Sequence, residues 1–454
     1  MKPRKPSISP NDDLFRSRLD NIINLRHELV ILSEKIDWSY LDEQAGQFFS
    51  DAGRPAHPTR LMAGLHLLKY MFNLSDEGVC ERWVYDPYFQ YFTGSLYFAH
   101  ELPIARSDMT HWRKRLGEDF CVTLLQESLR VAHEVGALRT KDLKRTVVDT
   151  TVMPKAVTYP TEAKLTYKAI TMLGKSAQLA GITLRQSYVR VGKLALIKSG
   201  RYRHAKQMKR ARKQERFLKI RLGRLIRDIE RKQELIPVGL KREALEMALN
   251  KAKQIHQQQR GDSDYCYSWH CPEVECIGKG KAHKPYEFGV KVSVTTNVNP
   301  APGGHFICHT KALPGRPYDG HTLKRILEET SSQTGITQER VYVDKGYRGH
   351  GIKGQTTVYQ SGQKRGVSTS IKKELRRRSV VEPIIGHAKQ DCRMDRNYLH
   401  GALGDAVNAV MAAVGFNFRQ LLRWFRKIFW RCYLQLLKYI YFDCKIKLCL
   451  NSFF

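Results

Sequence analysis

A strongly basic segment, residues 161–260, separates two parts of this chain that have the composition of β-strands. It contains 26 Lys and Arg but only 7 Asp and Glu. The net positive charge of this segment is therefore more than half of the chain's net charge of +33. One amphipathic helix is indicated by apolar residues at helical spacing, Leu218, Leu222, Leu225 and Ile229. Pro237 and Gly239 end this pattern, and a second helix follows. We therefore expect residues 161–261 to form a basic helical hairpin, either as a grip on a phosphate backbone or as a solvated face.

The segments around this insertion have strand character. β-Branched residues dominate residues 145–152, and residues 287–295 alternate between apolar and polar side chains. Residues 305–308 and 341–344 also resemble strands, and a helical stretch over 318–327 lies between them. This order of elements predicts an α/β fold with a mixed sheet. We assign the sheet domain to residues 141–160 and 262–415.

The two ends of the chain differ from this central part. Residues 1–25 are polar and should form a flexible arm. Residues 26–140 have the spacing of a small helical domain with basic helices. DNA contact and a purely structural role are equally open for this domain, because charge alone does not reveal which face is used. The tail, residues 416–454, is aromatic and basic, and could be a membrane-surface helix, a dimer contact or an unconstrained extension.

The net charge and the cysteines narrow the class of protein. A charge of +33 favours a polyanionic partner, nucleic acid first and an anionic membrane surface second. The 10 cysteines have irregular spacing, and the first residues lack the apolar segment of a secretory signal, so we expect reduced thiols and a cytoplasmic location. Charged residues interrupt every long apolar stretch, so no membrane span is expected. No nucleotide-binding motif is present, and we expect no small-molecule substrate.

Three acidic residues stand out as candidates for metal-dependent chemistry. Asp149 and Asp344 interrupt or end apolar β-like runs, where a charge is unfavourable unless it lies at a strand end or has a cationic partner. Bound Mg²⁺ would supply that partner, since it prefers hard oxygen ligands. On a single helix Glu382 would project within about 40° of Arg378 and Lys389, so that one carboxylate and two cations share a face.

The helix that carries Glu382 has an ambiguous start. Pro383 removes a backbone hydrogen bond and clashes with the preceding turn, so the helix either begins near Pro383 or is kinked there. Taken alone, Arg378 and Glu382 would be interpreted as a surface ion pair four residues apart. The two strand-borne aspartates shift the interpretation towards a metal site.

Asp149, Asp344 and Glu382 resemble the acidic triad of the DDE transposases of bacterial insertion sequences, specifically insertion sequence family five. The last motif of that family is Tyr-x2-Arg-x3-Glu-x6-Lys, which Arg378, Glu382 and Lys389 match, while Leu375 occupies the Tyr position. Further similar segments occur in the same order along the chain, at residues 53–58, 106–117, 148–151, 278–284 and 344–349.

The resemblance implies a ribonuclease-H-like core with a helical N-terminal domain and a helical insertion between the first two core strands. It implies Mg²⁺, or Mn²⁺, held by the three acids, and double-stranded DNA as the partner of a homodimer. Arg378 and Lys389 would hold flanking phosphates. Further candidates for DNA contact near the acids are Lys155, Tyr159, Lys284, Lys345, Tyr347 and Arg348. Stacking of Tyr347 on a displaced base and ordinary packing of its ring are equally open.

A cluster of potential zinc ligands lies in one short stretch. It consists of Cys266, His270, Cys271, Cys276 and His283. The cysteine spacing differs from that of usual zinc sites, so plain reduced thiols are favoured.

Two other functions remain open from the sequence. One is a metal-dependent nuclease that cuts DNA without joining it, which would need the same three acids. The other is a catalytically decayed copy that binds DNA through its basic surface.

Overall fold

A computed structural model of the chain describes residue 2 and residues 16–451, apart from residues 235, 260, 282 and 283. The description excludes the side chains of 279–281, 284 and 430–451. The chain forms two compact units, which we call the core unit (Met1–Pro154 and Val290–Phe454) and the insertion unit (Lys155–Gly289). Within the described residues, no helix is both long enough and apolar enough to cross a membrane.

The N-terminal part of the core unit is helical. Its helices are α1 (Leu19–Ile22), α2 (Glu28–Lys35), α3 (Trp38–Gly46), α4 (Thr59–Met71), α5 (Asp76–Tyr85), α6 (Pro87–Phe92), α7 (Arg106–Glu134) and α8 (Thr140–Leu143). The prediction of a flexible arm up to residue 25 is wrong for the last part of that range. Leu19 is fully buried, and its amide donates a hydrogen bond to the carbonyl oxygen of Leu96 at 2.8 Å. The beginning of the predicted arm, residues 3–15, lies outside the described residues.

Helix α7 is bent at one residue. Gly117 has φ 66° and ψ −154°, which is far from helical geometry, so two helical segments meet there at a kink. A residue with a Cβ rarely adopts this backbone conformation. The kink lets the first segment bury Trp112 and the second bury Phe120 in the same apolar core, with the two rings edge to face.

The core unit contains a mixed sheet, as predicted from the order of elements. Its strands are β1 (Arg145–Pro154), β3 (Lys284–Asn297, of which residues from 290 on belong to this unit), β4 (Ile307–Leu313), β5 (Arg340–Val343) and β6 (Thr357–Gln360). The strand order is β4-β3-β1-β5-β6, with β4 antiparallel to β3 and with β5 and β6 parallel to β1. The strand predicted at 305–308 is confirmed from residue 307 and extends to 313.

Helices cover both faces of this sheet. Helix α13 (Asp319–Thr334) packs Leu323 and Ile326 against Val148, Val341 and Val343 on one face. On the other face, α14 (Thr369–Arg377) and α15 (Val381–Asp391) bury Ile371 and Val381 against Val147 and Tyr342. Alternate residues of β1 and β5 therefore point to different helices, as the pleat of a strand requires.

The core unit ends in a long helix, α16 (Gly401–Asn451). Val410, Val414 and Phe418 are buried on this helix together with residues of α4, α7 and β4. The buried Asn417 accepts a hydrogen bond from the amide of Ile307 and donates one to its carbonyl oxygen. A separate tail starting at residue 416 was predicted, but the structure has no boundary there, because α16 continues through it and Phe418 is fully buried.

The insertion unit holds more helices than the predicted hairpin. Its elements are α9 (Glu162–Leu179), α10 (Val189–His204), α11 (Met208–Gln233), α12 (Leu240–Gln257), β2 (Glu275–Lys281) and the first part of β3. Leu218, Leu222, Leu225 and Ile229 form the buried face of α11, as their spacing predicts. The predicted hairpin does not include α9 and α10. The apolar residues of these two helices complete the core around α11.

Candidate active site

Asp149 and Asp344 lie at the same level of two adjacent parallel strands. The register of β1 and β5 pairs Val147 with Tyr342, and both strands run in the same direction. Two residues further along, the same offset brings Asp149 beside Asp344. Adjacent strands are about 4.8 Å apart. The two carboxylates therefore belong to neighbouring positions at the carboxyl end of the sheet.

Both aspartates project from the face that α15 covers. Val147 and Tyr342 share an apolar cluster with Val381, the first residue of α15. Because side chains alternate along a strand, Asp149 and Asp344 lie on this same face, opposite to α13. The side chain of Asp149 is 21% exposed and that of Asp344 is 52% exposed, so solvent and ligands can reach both.

One guanidinium group bridges the two carboxylates. Arg378 Nη1 lies 3.5 Å from Asp149 Oδ2, and Arg378 Nη2 lies 3.9 Å from Asp344 Oδ1. Arg378 belongs to a short 3₁₀ turn, Arg378–Val380, directly before α15, and its side chain is only 16% exposed. The other oxygen of Asp149 accepts a hydrogen bond from the amide of Thr150 at 2.8 Å. The space between the two aspartates is thus shaped for a cationic group.

Glu382 is the exposed second residue of α15. The neighbouring Val381 anchors the first turn of α15 on the strands that carry the two aspartates. Pro383 also lies in this first turn, which agrees with a helix that begins near the proline. The structure therefore places Glu382 in the first turn of α15.

The acids fit a hard divalent cation in part. Mg²⁺ typically takes one or two protein carboxylates and completes its shell with water and substrate phosphates. Asp149 and Asp344 offer such a pair of oxygen donors around a space that already holds a cation. In the part of the chain that the structure describes, no group of three or more His, Cys, Asp or Glu side chains is arranged to hold a metal ion.

The residues that follow Asp344 have different environments. Lys345 and Arg348 are exposed, as expected of DNA contacts. Tyr347 is 1% exposed and packs with Val148 and Leu323 on the opposite face of the sheet, and burial raises the pKa of its phenol well above the usual value. The stacking of Tyr347 on a base is therefore wrong, and the alternative of a packed ring is correct.

Three predicted DNA contacts belong to the insertion unit. The ammonium group of Lys155 is 2% exposed and lies 2.8 Å from a carboxylate oxygen of Glu273. This buried ion pair contradicts a phosphate contact by Lys155, because the charge is already compensated inside the protein. Tyr159 is 61% exposed, and its ring packs edge to face with Phe288. The side chain of Lys284 lies outside the described residues.

The insertion unit also exposes a row of cations along α11. These are Lys209, Arg210, Arg212, Lys213, Arg216, Arg224 and Arg227, all on the surface opposite to the buried leucines. This is the arrangement expected of a helix that contacts phosphates.

The possible zinc ligands do not assemble in the described part of the chain. Cys266 is buried in the core of the insertion unit, and its thiol donates to the carbonyl oxygen of Ser268. Burial raises the pKa of this thiol, as expected for a packed, reduced cysteine. His283 lies outside the described residues.

Lys389 lines a large open cleft at the carboxyl end of α15. This cleft, which we call the α15 cleft, has a volume of about 1120 Å³. Cations from distant parts of the chain share its wall, namely Lys69, Arg113, Lys114, Arg393 and Arg396. Sequence reasoning missed these residues, because they come from α4, α7 and the loop after α15 and follow no common motif.

A buried ion network forms one wall of the α15 cleft. Lys69 Nζ lies 2.8 Å from Asp76 Oδ1, and Arg113 Nη2 lies 3.0 Å from Asp76 Oδ2. Burial lowers the pKa of Lys69 to about 8. Burial alone would raise the pKa of Asp76, but its two cationic partners outweigh this effect and hold the pKa well below the usual value. The network fixes the start of α5 against α4 and α7.

Comparison with known proteins finds two transposase family models that match parts of the chain. The family model described as "Transposase domain (DUF772)" matches residues 17–115, and the model described as "Transposase DDE domain" matches residues 267–418. A relative from Rhizobium meliloti named "Uncharacterized protein ORF8 in nfe locus" is 50% identical over 207 residues, which cover 46% of this chain and 100% of the relative. No solved structure matches the chain.

Proposed function

Because the chain belongs to the family of DDE transposases, we propose that it is the transposase of an insertion sequence of family five, which cuts the ends of the element and joins them to target DNA. The observation that carries this proposal is the pair of adjacent aspartates on one sheet face, bridged by Arg378. A structural ion pair would need only one acid, whereas phosphoryl transfer uses paired carboxylates to hold cations against a phosphodiester.

We propose a ribonuclease-H-like core for the core unit. Its strand order supports this, because β3 and β4, which are antiparallel to each other, lie on one side of β1, while β5 and β6 lie on the other side and run parallel to β1. The helices α9–α12 follow β1 along the chain and precede β2 and β3, which is the place of the expected insertion.

The catalytic residues of the proposal are Asp149, Asp344 and Glu382. Their carboxylates would hold Mg²⁺, or Mn²⁺, with Glu382 contributed by the first turn of α15. Bound divalent ions would activate the attacking oxygen and stabilise the leaving oxygen of an in-line displacement. The protein supplies alignment and a fixed distribution of charge, which account for most of the rate in phosphoryl transfer.

The proposed reaction has two displacements at phosphorus. In the first, a water oxygen bonds to the phosphorus at the end of the element, and the 3′ oxygen leaves and takes up a proton. In the second, this 3′-hydroxyl oxygen bonds to a phosphorus of the target strand, and the target's own 3′ oxygen leaves. Each step forms one P–O bond and breaks one, so no energy source is needed.

Positively charged residues around the acids would orient the DNA. Arg378 would exchange its contacts with Asp149 and Asp344 for a phosphate oxygen once cations occupy the site. Lys345 and Arg348 are exposed beside Asp344 and would contact the flanking backbone. The exposed cations of α11 would add contacts to the DNA backbone, and a homodimer would hold the two ends of the element.

Cleavage of DNA that carries the inverted repeats flanking the coding region tests this proposal. With Mg²⁺, the wild type should nick at the ends of the element, while Asp149→Asn, Asp344→Asn and Glu382→Gln should each lose at least ~100-fold in rate. Glu328→Gln, an exposed acid on α13, is the matched control and should retain full activity. Full activity of Asp149→Asn would refute the assignment.

Strand transfer separates the two remaining functions. A nuclease would release nicked ends that never appear joined to a target plasmid, whereas a transposase would give joined products in the same reaction. A decayed copy would bind the repeats but neither cut nor join them.

A further inference from the structure

The α15 cleft is larger than a typical site for a small molecule. Its volume of about 1120 Å³ exceeds the ~300–1,000 Å³ of most small-ligand pockets. Residues of α4, α5, the first segment of α7, the end of α15 and the beginning of α16 surround it, all within the core unit. The dimensions suit a segment of an extended ligand better than a compact one.

Two cations on the wall of the cleft form no ion pair with any described residue. Lys114 and Arg396 are both exposed, and neither forms an ion pair or side-chain hydrogen bond within the described residues. Lys69 and Arg113 differ from them, because Asp76 already neutralises much of their charge. Lys114 and Arg396 are therefore available to phosphate groups.

An exposed aromatic ring lines the same cleft. Tyr398 is 57% exposed, and the guanidinium of Arg393 lies 5.9 Å from the centre of its ring. Leu403, at 43% exposure, extends this apolar surface along α16. An aromatic ring flanked by cations is the usual platform on which an unpaired nucleobase stacks. A paired base buries its faces inside the duplex and cannot use such a platform.

Helix α15 connects the acids to the cleft. Glu382 and Lys389 are seven residues apart and lie on the same side of the helix. This separation is about 10 Å along the helix axis, or about three nucleotides at a rise of ~3.4 Å. A strand whose phosphodiester is held by the acids can therefore follow α15 into the cleft.

We propose that the α15 cleft binds an unpaired segment of the DNA strand that leaves the catalytic acids, with its phosphates at Lys114 and Arg396 and one base stacked on Tyr398. This inference rests on the proposed function, because the acids define the direction from which the strand enters. It adds a single-stranded state of the DNA and a binding site that the three acids do not require.

Photocrosslinking in EDTA tests the cleft without any cleavage. The probe is an oligothymidine of about 15 nucleotides that carries one 5-iododeoxyuridine, with the duplex of the same length for comparison. With the full-length protein at ~150 mM salt, we expect the single strand to label the peptide that contains Tyr398 and the duplex to label it at least fivefold less.

Variants connect the label to the three side chains. Lys114→Ala combined with Arg396→Ala should reduce the labelling roughly tenfold, and Tyr398→Ala should abolish it, while Tyr398→Phe should retain stacking and labelling. Lys324→Ala, an exposed lysine on α13, is the control and should change nothing. All these positions are on the surface, so the variants should fold like the wild type.

Two results would overturn the inference. One is an unlabelled Tyr398 peptide in the wild type, and the other is equal labelling by single strand and duplex. Neither result affects the outcome of the cleavage assay. The two assays together therefore identify an enzyme that cuts the element ends without using the cleft. Labelling at Tyr398 by a protein that never cuts DNA with Mg²⁺ would instead refute the proposed function alone.

Discussion

Asp149 and Asp344 are register neighbours on parallel strands, and they share one counter-ion. Two carboxylates about 5 Å apart repel each other, and the guanidinium of Arg378 between them relieves this repulsion. In the proposed mechanism, Arg378 and a divalent ion would therefore have overlapping roles, one before and one after the ion binds.

Arg378→Gln should make the stability of the protein depend on divalent ions. In EDTA the variant lacks the guanidinium that lies between the two carboxylates, and a loss of about 1 kcal/mol lowers Tm by roughly 1 °C in a chain of this size. Mg²⁺ should restore this loss, so the rise in Tm on adding MgCl₂ should be larger for Arg378→Gln than for the wild type. Differential scanning fluorimetry with and without MgCl₂ measures both values.

The control for this variant is Arg376→Gln. Arg376 is exposed and lies two residues from Arg378 in the sequence. Its substitution makes the same change in net charge without removing a contact to either aspartate. Its Tm and its response to MgCl₂ should match those of the wild type. If Arg378→Gln behaves like Arg376→Gln, the guanidinium does not act as the counter-ion of the two acids.

Gly117→Ala should destabilise the core unit by roughly 1–3 kcal/mol. The reason is the backbone conformation of φ 66° and ψ −154°, which a residue with a Cβ rarely adopts. Space is not the obstacle, since the nearest atom to an added Cβ would be Leu403 Cδ1 at 3.7 Å. Urea unfolding of the wild type and the variant gives the difference in free energy.

Gly200→Ala provides the opposite expectation for the same substitution. Gly200 lies inside α10, is exposed, and has open space around its Cα. Alanine favours a helix over glycine by up to ~1 kcal/mol, so this variant should be neutral or stabilised. If Gly200→Ala is destabilised and Gly117→Ala is neutral, the non-helical backbone conformation of Gly117 at the kink is contradicted.

Local sequence pattern was sufficient for the elements that carry the acids. Asp149 and Asp344 are conspicuous because a charge within a β-branched run needs a reason, and the structure places both runs in adjacent strands. The position of Pro383 indicated where a helix could begin, and α15 begins two residues earlier. In these cases the residues that decide the outcome are neighbours in the sequence.

Long-range packing limited the other predictions. Tyr347 follows Asp344 closely, yet the 3₁₀ turn at Lys345–Tyr347 returns the ring to the α13 side of the sheet. Lys155 looked like a free cation because its partner Glu273 is more than a hundred residues away in the chain. Charge in the sequence does not reveal which cations the fold has already neutralised.

Lys155→Met should therefore lower the free energy of unfolding and leave DNA binding unchanged. It removes one ion-pair partner of Glu273, whose side chain is only 16% exposed, and breaking a buried ion pair costs about 3 kcal/mol. Lys213→Met, an exposed cation of α11, should do the reverse and reduce the salt dependence of DNA binding by ~0.9 in log–log slope. Urea unfolding and salt titrations of binding distinguish the two. A smaller slope for Lys155→Met would restore its predicted role as a phosphate contact.

Asp76→Asn should destabilise the helical part of the core unit in a manner that depends on pH. The substitution leaves Lys69 and Arg113, which are 4% and 9% exposed, without their shared carboxylate, at a cost of about 3 kcal/mol near neutral pH. The two cations hold the pKa of Asp76 below its unfolded value of about 3.9. The stabilisation by the carboxylate is therefore complete above pH ~3.9 and is lost as the pH falls towards the folded pKa.

The difference in unfolding free energy between wild type and Asp76→Asn should be constant from neutral pH down to about pH 5 and should shrink below pH ~4 by up to ~1.4 kcal/mol per pH unit. Urea unfolding of both proteins across this range measures it. Asp20→Asn removes the solvent-exposed pair with Arg18 and should stay within ~0.5 kcal/mol of the wild type throughout. A difference that grows in acid would mean that burial, rather than the two cations, dominates the pKa of Asp76, and the wall of the α15 cleft would then be held together by packing alone.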